Sequence, residues 1–410
     1  MKHFLLPLAL LFISYRSINA QVYTQSTVDG SITISPQGMQ GSNNGNAVSS
    51  NTVLGANAMK SNTTGYNNTA MGLNALFSNR GGHENTGVGM NVLYSSYGNY
   101  NTAMGHETLM NNGPGSVNTA IGQHSMQYNW SGSVNTAVGV SSLQSNTSGN
   151  GNTGIGMSAL YNNRTGINNT ALGISSLYAT RDGRSNTGVG ASALADNNLG
   201  SRNTAVGDSA GWNNVSGNSN TFLGYMADAS ATNLTNAIAI GYNAEVNADD
   251  KAVIGNAAVA TIGGYGAWTN YSDRRLKENI IYTNRLGLDF ILKLKTASYN
   301  YSSDPYKRRR DGLIAQDVQQ TLREMNIPFS GLVEDKDEAK TLNLSYAELV
   351  VPLVNAVQEL DRNNRHLQAE NEELRKKLAR IDELEELKGE IAKLKAVLNT
   401  DSSLHLSEKK

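Results

Sequence analysis

The chain has 410 residues, no cysteine and a formal net charge of -1 at pH 7. These values exclude disulfides, thiolate metal centres, a cysteine nucleophile and cysteine-linked lipid. They also leave no whole-chain field to draw in nucleic acid or an anionic membrane. The neutral balance hides an asymmetry, because residues 51–255 carry 16 charged side chains and residues 256–410 carry 48. Two different kinds of sequence stand in series.

Met1-Lys2-His3 is a short basic start, Phe4 to Ile13 is apolar apart from Pro7, and Ser17-Ile18-Asn19-Ala20 ends on a small residue before Gln21. This pattern predicts a Sec signal peptide over 1–20, and so a protein secreted or held at the surface of a bacterium. No other apolar run approaches the length of a membrane span, and no transmembrane segment is expected in the mature chain. Residues 21–50 are polar and read as a lead-in segment with a strand or two.

From Asn51 the chain repeats itself. Asn-Thr-x-x-Gly recurs at Asn51, Asn68, Asn85, Asn101, Asn118, Asn135, Asn152, Asn169, Asn186, Asn203 and Asn220, always seventeen positions on except for one step of sixteen. Two degenerate copies ending at Gly241 and Gly255 bring 13 glycines into register. So regular a period signals a stacked, quasi-one-dimensional architecture over 51–258. The residue before each glycine is aliphatic or Met, as in Leu54, Met71, Ile121 and Leu172, and a second apolar position recurs four residues after it, as in Leu76, Leu109 and Leu143. Gly and Asn in every copy, without a helical period, argue for β structure over helix. Two short strands with one or two turns per coil fit a repeat of this length, with Asn and Thr forming ladders between coils. One coil buries only two or so apolar side chains, so association of several chains would add to a thin core.

The Asn-Thr-Ala-Val/Ile/Met-Gly and Ala/Ser-Leu repeats resemble the head repeats of trimeric autotransporter adhesins. That resemblance implies a left-handed parallel β-roll packed as a homotrimer, with a stalk or adhesive role toward a glycan or another host or cell-surface ligand. Tyr94, Tyr97, Tyr128, Trp130, Tyr161, Tyr178 and Trp212 fall mostly in turns, where they either contact such ligands or cover the roll.

Residues 259–271 read as a linker, with Thr261 to Trp268 as a last strand. An amphipathic helix is expected at Leu286 to Leu294, a strand at Thr296 to Tyr301, a loop over Ser303 to Gly312 and a helix running to about Met325. Short strands are expected at Leu332–Glu334 and Leu342–Leu344, and helix from Leu349. Ser272-Asp273, Arg275-Leu276-Lys277-Glu278-Asn279-Ile280, Tyr299-Asn300-Tyr301, Gly312-Leu313-Ile314-Ala315-Gln316-Asp317-Val318 and Leu344-Ser345-Tyr346 together resemble the C-terminal intramolecular chaperone of phage endosialidases and tail fibres. The resemblance spans 272–356. It implies a small α+β domain that trimerises, templates assembly of the stalk before it and cuts itself off. Ser272 would then be nucleophile, Lys277 its base and Tyr271–Ser272 the bond broken. Serine needs a base to become nucleophilic, and lysine serves when desolvation or nearby cations such as Arg274 and Arg275 help it lose its proton. Five residues apart, the two side chains share neither a helix face nor a strand face, so they meet only across a turn or between chains. The bland alternative is that Ser272-Asp273 caps the following helix. Gln316 is read as a supporting or interface residue and Arg308-Arg309-Arg310 as a solvated loop.

Val357, Leu360, Asn364, Leu367, Asn371, Leu374, Leu378 and Ile381 step by threes and fours, predicting an oligomerising coiled coil over 357–398, followed by a polar tail at 399–410. His83, His106, His124 and His366 read as isolated, so neither metal nor cofactor is expected. The whole reads as a mainly β repeat rod, a small α+β chaperone domain and a coiled coil. The function expected is that of a secreted fibrous surface protein with at most a single-turnover Ser/Lys self-cleavage and no external substrate. The alternative is an adhesin that keeps its C-terminal module as a permanent clamp.

Overall fold

The computed structural model describes residues 50–337 and 339–405. The expected signal peptide and nearly all of the lead-in segment lie outside the described residues. The chain forms two compact units: one runs to Ser158 and includes Asn163–Thr165, the other comprises Ala159–Asn162 and Gly166 onward.

The first unit is a parallel β-solenoid. Seven three-residue strands, from Thr52–Leu54 to Thr153–Ile155, each contribute one rung. Register is strict, with Thr102 opposite Thr119 and Thr119 opposite Thr136. The interior is polar as much as apolar. Asn118 Oδ1 accepts from the Asn135 backbone N–H at 3.0 Å, and Asn118 Nδ2 donates to Gly132 O at 2.9 Å. Asn135 repeats the arrangement with Asn152 N and Gly149 O. A second amide ladder runs through Asn112, Asn129 and Asn146, each Nδ2 also donating to the glycine carbonyl three residues on. All of these asparagines are buried. A buried amide is tolerable only when its donors and acceptors are met, and the neighbouring coil meets them. The one step of sixteen among the Asn-Thr repeats falls where this second ladder changes residue. Ser96 stands in for asparagine, with Asn112 Nδ2 donating to Ser96 Oγ at 3.1 Å, and the residue is lost between Ser96 and Gly98.

Each coil turns sharply at its repeat glycine. Gly122 has φ 124°, and a Cβ there would lie 2.6 Å from Gly139 O of the next coil. The leucine four residues later also sits in the left-handed region, as in Leu109 (φ 49°) and Leu143 (φ 51°). That conformation costs roughly 1–2 kcal/mol for a side chain with a Cβ. Full burial of the leucine returns about 1.5–3 kcal/mol, so hydrophobic burial wins.

Two expectations change here. Most coils have one short strand, not two; among the described residues a second strand appears only at Asp228–Ala229 and Glu245–Val246. The aliphatic residue before each glycine is not core. In a three-residue strand, alternation points the central Ala or Gly inward and the residues on either side of it outward. Thus Ala103, Ala120 and Ala137 are buried, while Leu54, Met71, Met104, Ile121 and Ile155 form a stripe 39–47% exposed.

The second unit continues the pattern from Thr170–Leu172 to Ala252–Ile254, with Leu172, Val206, Leu223 and Ile254 again outward. Asp228 and Glu245 pair in register. Burial, reinforced by Glu245 and Asp196, pushes the Asp228 carboxyl up to about 6, against bonds received from Asn213 N and Ala229 N.

Beyond Gly255 the backbone is irregular. The strand expected at Thr261–Trp268 does not form: Tyr265 and Trp268 are exposed, and among the described residues no strand lies alongside to pair with it. The α+β module follows. Its elements are helix α1 (Leu288–Lys293), the antiparallel pair Thr296–Tyr299 with Arg310–Leu313, helix α2 (Ala315–Met325), the antiparallel pair Leu332–Glu334 with Leu342–Leu344, and helix α3 (Val350–His405). Asn326 ends α2 in the left-handed conformation (φ 54°), which lets its N–H reach back to Arg323 O. The core is small: Phe290, Val318 and Leu322 are buried, edged by Leu286, Leu313, Phe329 and Leu349. Glu359 and Asn355 on α3 hold the α1 segment through Leu288 N and Leu286 O, both at 3.0 Å.

Two outcomes follow. Asn118→Ala should lower unfolding stability by about 1–3 kcal/mol in denaturant melts, because it orphans Asn135 N inside the coil and leaves Gly132 O with Asn129 Nδ2 as its one remaining side-chain donor. Asp228 is protonated more readily when folded than when unfolded, so its contribution is present below the ordinary carboxylate range and is lost as pH rises to about 6. Asp228→Asn should therefore raise the thermal midpoint at pH 7, with the gain shrinking as pH is lowered to 4.

Candidate functional site

Ser272 and Lys277 are brought together by a single tight turn. Residues Arg274–Leu276 form a 3-10 helix, with Asp273 as N-cap and Lys277 as C-cap. The Asp273 carboxylate accepts from Arg275 N at 2.9 Å and pairs with the Arg275 guanidinium at 2.6 Å. The side-chain and backbone bonds from Arg275 hold the Asp273 carboxyl below its ordinary range. Leu276 N and Lys277 N close the turn onto Asp273 O and Arg274 O. Lys277 leaves the turn in extended conformation, and its Nζ donates to Ser272 Oγ at 2.9 Å. The capping reading and the dyad reading are thus parts of one geometry, with Asp273 capping while Ser272 stays available to Lys277. Tyr271, Ser272 and Lys277 are all exposed in the single chain.

Residues 272–327 match the family model described as chaperone of endosialidase. The match starts at Ser272 itself. No curated protein and no solved structure matches the chain. A β-solenoid repeat region precedes this chaperone segment, and a long helix follows it.

Within the chaperone module the arginine run is not a solvated loop. Arg308 pairs with buried Asp304 at 2.9 Å and reaches Ala258 O at 3.0 Å; Asp304 is held at about 2, first by that side-chain bond. Arg309 Nε donates to Ser298 Oγ, and Arg310 lies in a strand with its guanidinium over the Tyr301 ring. Tyr346 OH accepts from Leu313 N at 2.8 Å. The Tyr299 hydroxyl is pushed up to about 12, mainly by its bond with Tyr301. Gln316 is exposed at the start of α2. The heptad positions Val357, Leu360, Leu367, Leu374, Leu378 and Ile381 are exposed along α3, as are Asn364 and Asn371.

Sequence reading missed two clusters. Lys251, on the last full coil, bonds Asp335 of the α+β module at 2.6 Å, and Asn247 Nδ2 donates to Asp337 at 2.9 Å. The partners are far apart in sequence, so no local signal links them. In the solenoid, His106 and His124 are not isolated; with Glu107 they form one group across neighbouring coils. His83 instead stacks on Tyr66, with ring centroids 4.8 Å apart. Several turn aromatics also stack coil on coil, Tyr161 on Tyr178 at 5.1 Å and Phe77 on Tyr94 at 4.9 Å. Trp130 stays 59% exposed.

Asp335 is nearly buried, so removing its cation is costly. Lys251→Met should destabilise the second unit by about 1–3 kcal/mol in denaturant melts, and Asp335→Leu added to it should recover part of the loss.

Proposed function

We propose that this is a secreted, trimeric, fibrous surface protein whose C-terminal module acts as an intramolecular chaperone for assembly and then cuts the Tyr271–Ser272 bond. The coarser part rests on the order of elements: a β-solenoid followed by a chaperone-of-endosialidase segment is the make-up of a tail-fibre-like fibrous protein with a chaperone role. The cleavage reading is carried by one observation, the 2.9 Å contact of Lys277 Nζ with Ser272 Oγ at the first residue of the family match.

The chemistry runs as follows. Lys277, once neutral, takes the Ser272 hydroxyl proton while Oγ attacks the Tyr271 carbonyl carbon. The C–N bond to Ser272 breaks, and its nitrogen leaves as an amine carrying the proton. Tyr271 is then an ester on Ser272 Oγ. Water hydrolyses the ester, leaving a Tyr271 carboxylate and a free Ser272 hydroxyl. Lysine reaches its neutral form most readily where water is excluded. The exposed turn of the single chain would gain that exclusion from neighbouring copies, so cleavage would wait for assembly.

Trimerisation is supported by two unpartnered apolar faces, the pre-glycine stripe on the coils and the heptad face of α3. Asn364 and Asn371 at core-type heptad positions suit a coiled coil with fixed register. The small core of the module also points to burial supplied by other copies. In the assembled fibre the coils would act as stalk or adhesin toward a glycan or other surface ligand, with exposed turn aromatics such as Trp130 as contact points.

A second reading has its own support. Lys251–Asp335 and Arg308–Ala258 tie the last coils to the chaperone module on either side of the candidate cleavage bond. Such ties suit a permanent trimerisation clamp. The two readings separate on the intact mass of purified protein, with its oligomeric state measured by light scattering. Self-cleavage predicts two fragments split at Tyr271–Ser272 for the wild type and one whole chain for both Ser272→Ala and Lys277→Met. A wild-type trimer that stays whole favours the clamp and removes the protease reading.

A further inference from the structure

The group at His106, Glu107 and His124 belongs to the first unit and takes no part in the cleavage chemistry. Its position in the repeat is unusual. In most other coils the two residues after the glycine are an aliphatic and a small polar residue, as in Leu73-Asn74, Met90-Asn91 and Val140-Ser141. The second of them has positive φ, which asparagine tolerates well. Asn57, Asn74 and Asn91 form an amide ladder there, with Nδ2 to Oδ1 distances of 3.2 and 3.0 Å. The ladder stops at Glu107 (φ 55°), with His124 (φ 58°) stacked at the same position of the next coil. Two successive coils therefore trade a self-satisfying amide for ionisable ligands, and for glutamate the positive φ is an uncommon conformation.

We propose that His106, Glu107 and His124 form a binding site for a divalent transition-metal ion of the zinc class. His124 Nε2 lies 3.4 Å from Glu107 Oε2, and His106 Nε2 lies 3.8 Å from Glu107 Oε1. All three ligand atoms fall within 4.8 Å of one another. Donors on a tetrahedral zinc ion, each about 2.1 Å from it, are about 3.4 Å apart, so small side-chain rotations close the site. The donor set of two imidazoles and a carboxylate favours zinc, nickel or copper over calcium or magnesium, which prefer oxygen alone. The surroundings orient the ligands. Gln127 Nε2 donates to Glu107 Oε2 at 2.7 Å. Gln144 Nε2 donates in turn to Gln127 Oε1 at 2.7 Å, so the coil that carries His124 and one further coil fix the carboxylate. His106 Nδ1 is buried with no hydrogen-bond partner among the described residues, so no protein bond there dictates the tautomer of this ring. The three side chains are 24–36% exposed, which leaves a route for the ion and room for water at the remaining coordination position. A bound ion would brace one coil against the next.

The test uses the full chain, untagged and stripped with a chelator. Calorimetric titration with Zn2+ should show saturable binding of about one ion per chain, accompanied by a higher thermal midpoint. His124→Asn, which keeps a residue suited to positive φ, and Glu107→Gln should each abolish saturable binding while leaving the circular dichroism spectrum unchanged. Absence of saturable binding by the wild type, or binding that survives both substitutions, overturns the proposal. X-ray absorption on the wild-type complex needs no variant. Two imidazoles in the ligand shell support the site, and a shell of oxygen alone sinks it.

Discussion

The constraint on which the solenoid depends is the hydrogen bonding of its buried asparagine amides. An amide removed from water must find donors and acceptors, and inside these coils the nearest ones belong to the adjacent turn. The side chain of Asn118 serves the backbone of both Asn135 and Gly132, and Asn135 does the same for the coil after it. Such a ladder has value only when it is continuous, because each member satisfies the next. This explains why the period tolerates so little variation. Where one residue is dropped, the loss falls beside Ser96, whose shorter side chain still accepts from Asn112. It also explains how a stretch so poor in charge and so rich in glycine folds at all, since polar ladders share the interior with alanine and leucine.

The period, the stacking and the apolar position four residues after most of the glycines were legible in the chain itself, because they recur at a fixed spacing, while the parallel arrangement was implied by the resemblance to adhesin head repeats. The facing of the strands was not. An aliphatic residue such as Ile121 looks like core, but the small Ala120 beside it takes the inward place in a three-residue strand, and Ile121 is left outside. Small residues inside and large ones outside also reverse the usual reading of a hydrophobic pattern. The turn that joins Ser272 to Lys277 was foreseen only as a requirement; its means, a 3-10 helix capped by Asp273, depends on backbone geometry that spacing does not reveal. His106 and His124 escaped notice because they stand one full period plus one position apart. That spacing becomes a contact only once the coil is wound.

The chaperone module has a different physical character. Its charged residues are concentrated and its core is little more than Phe290, Val318 and Leu322. Polar and ionic fastenings hold much of the rest: Glu359 and Asn355 to the α1 segment, Arg308 to Asp304, Lys251 to Asp335. Fastenings of this kind are directional, so they specify which surfaces meet, while the apolar residues on the outer faces of the coils and of α3 stay exposed.

The direction of the backbone ladder in the coils has a mechanical consequence. Strand-to-strand hydrogen bonds such as Thr102 N to Asn118 O and Thr119 N to Asn135 O run from coil to coil, along the line of stacking. A tensile load applied along that line would pull each rung open in its weakest direction, one coil after another, instead of shearing many bonds at once. Stretched alone, a single chain should therefore pay out length in small, even increments of one coil, at low force. Resistance to tension would have to come from chains lying side by side.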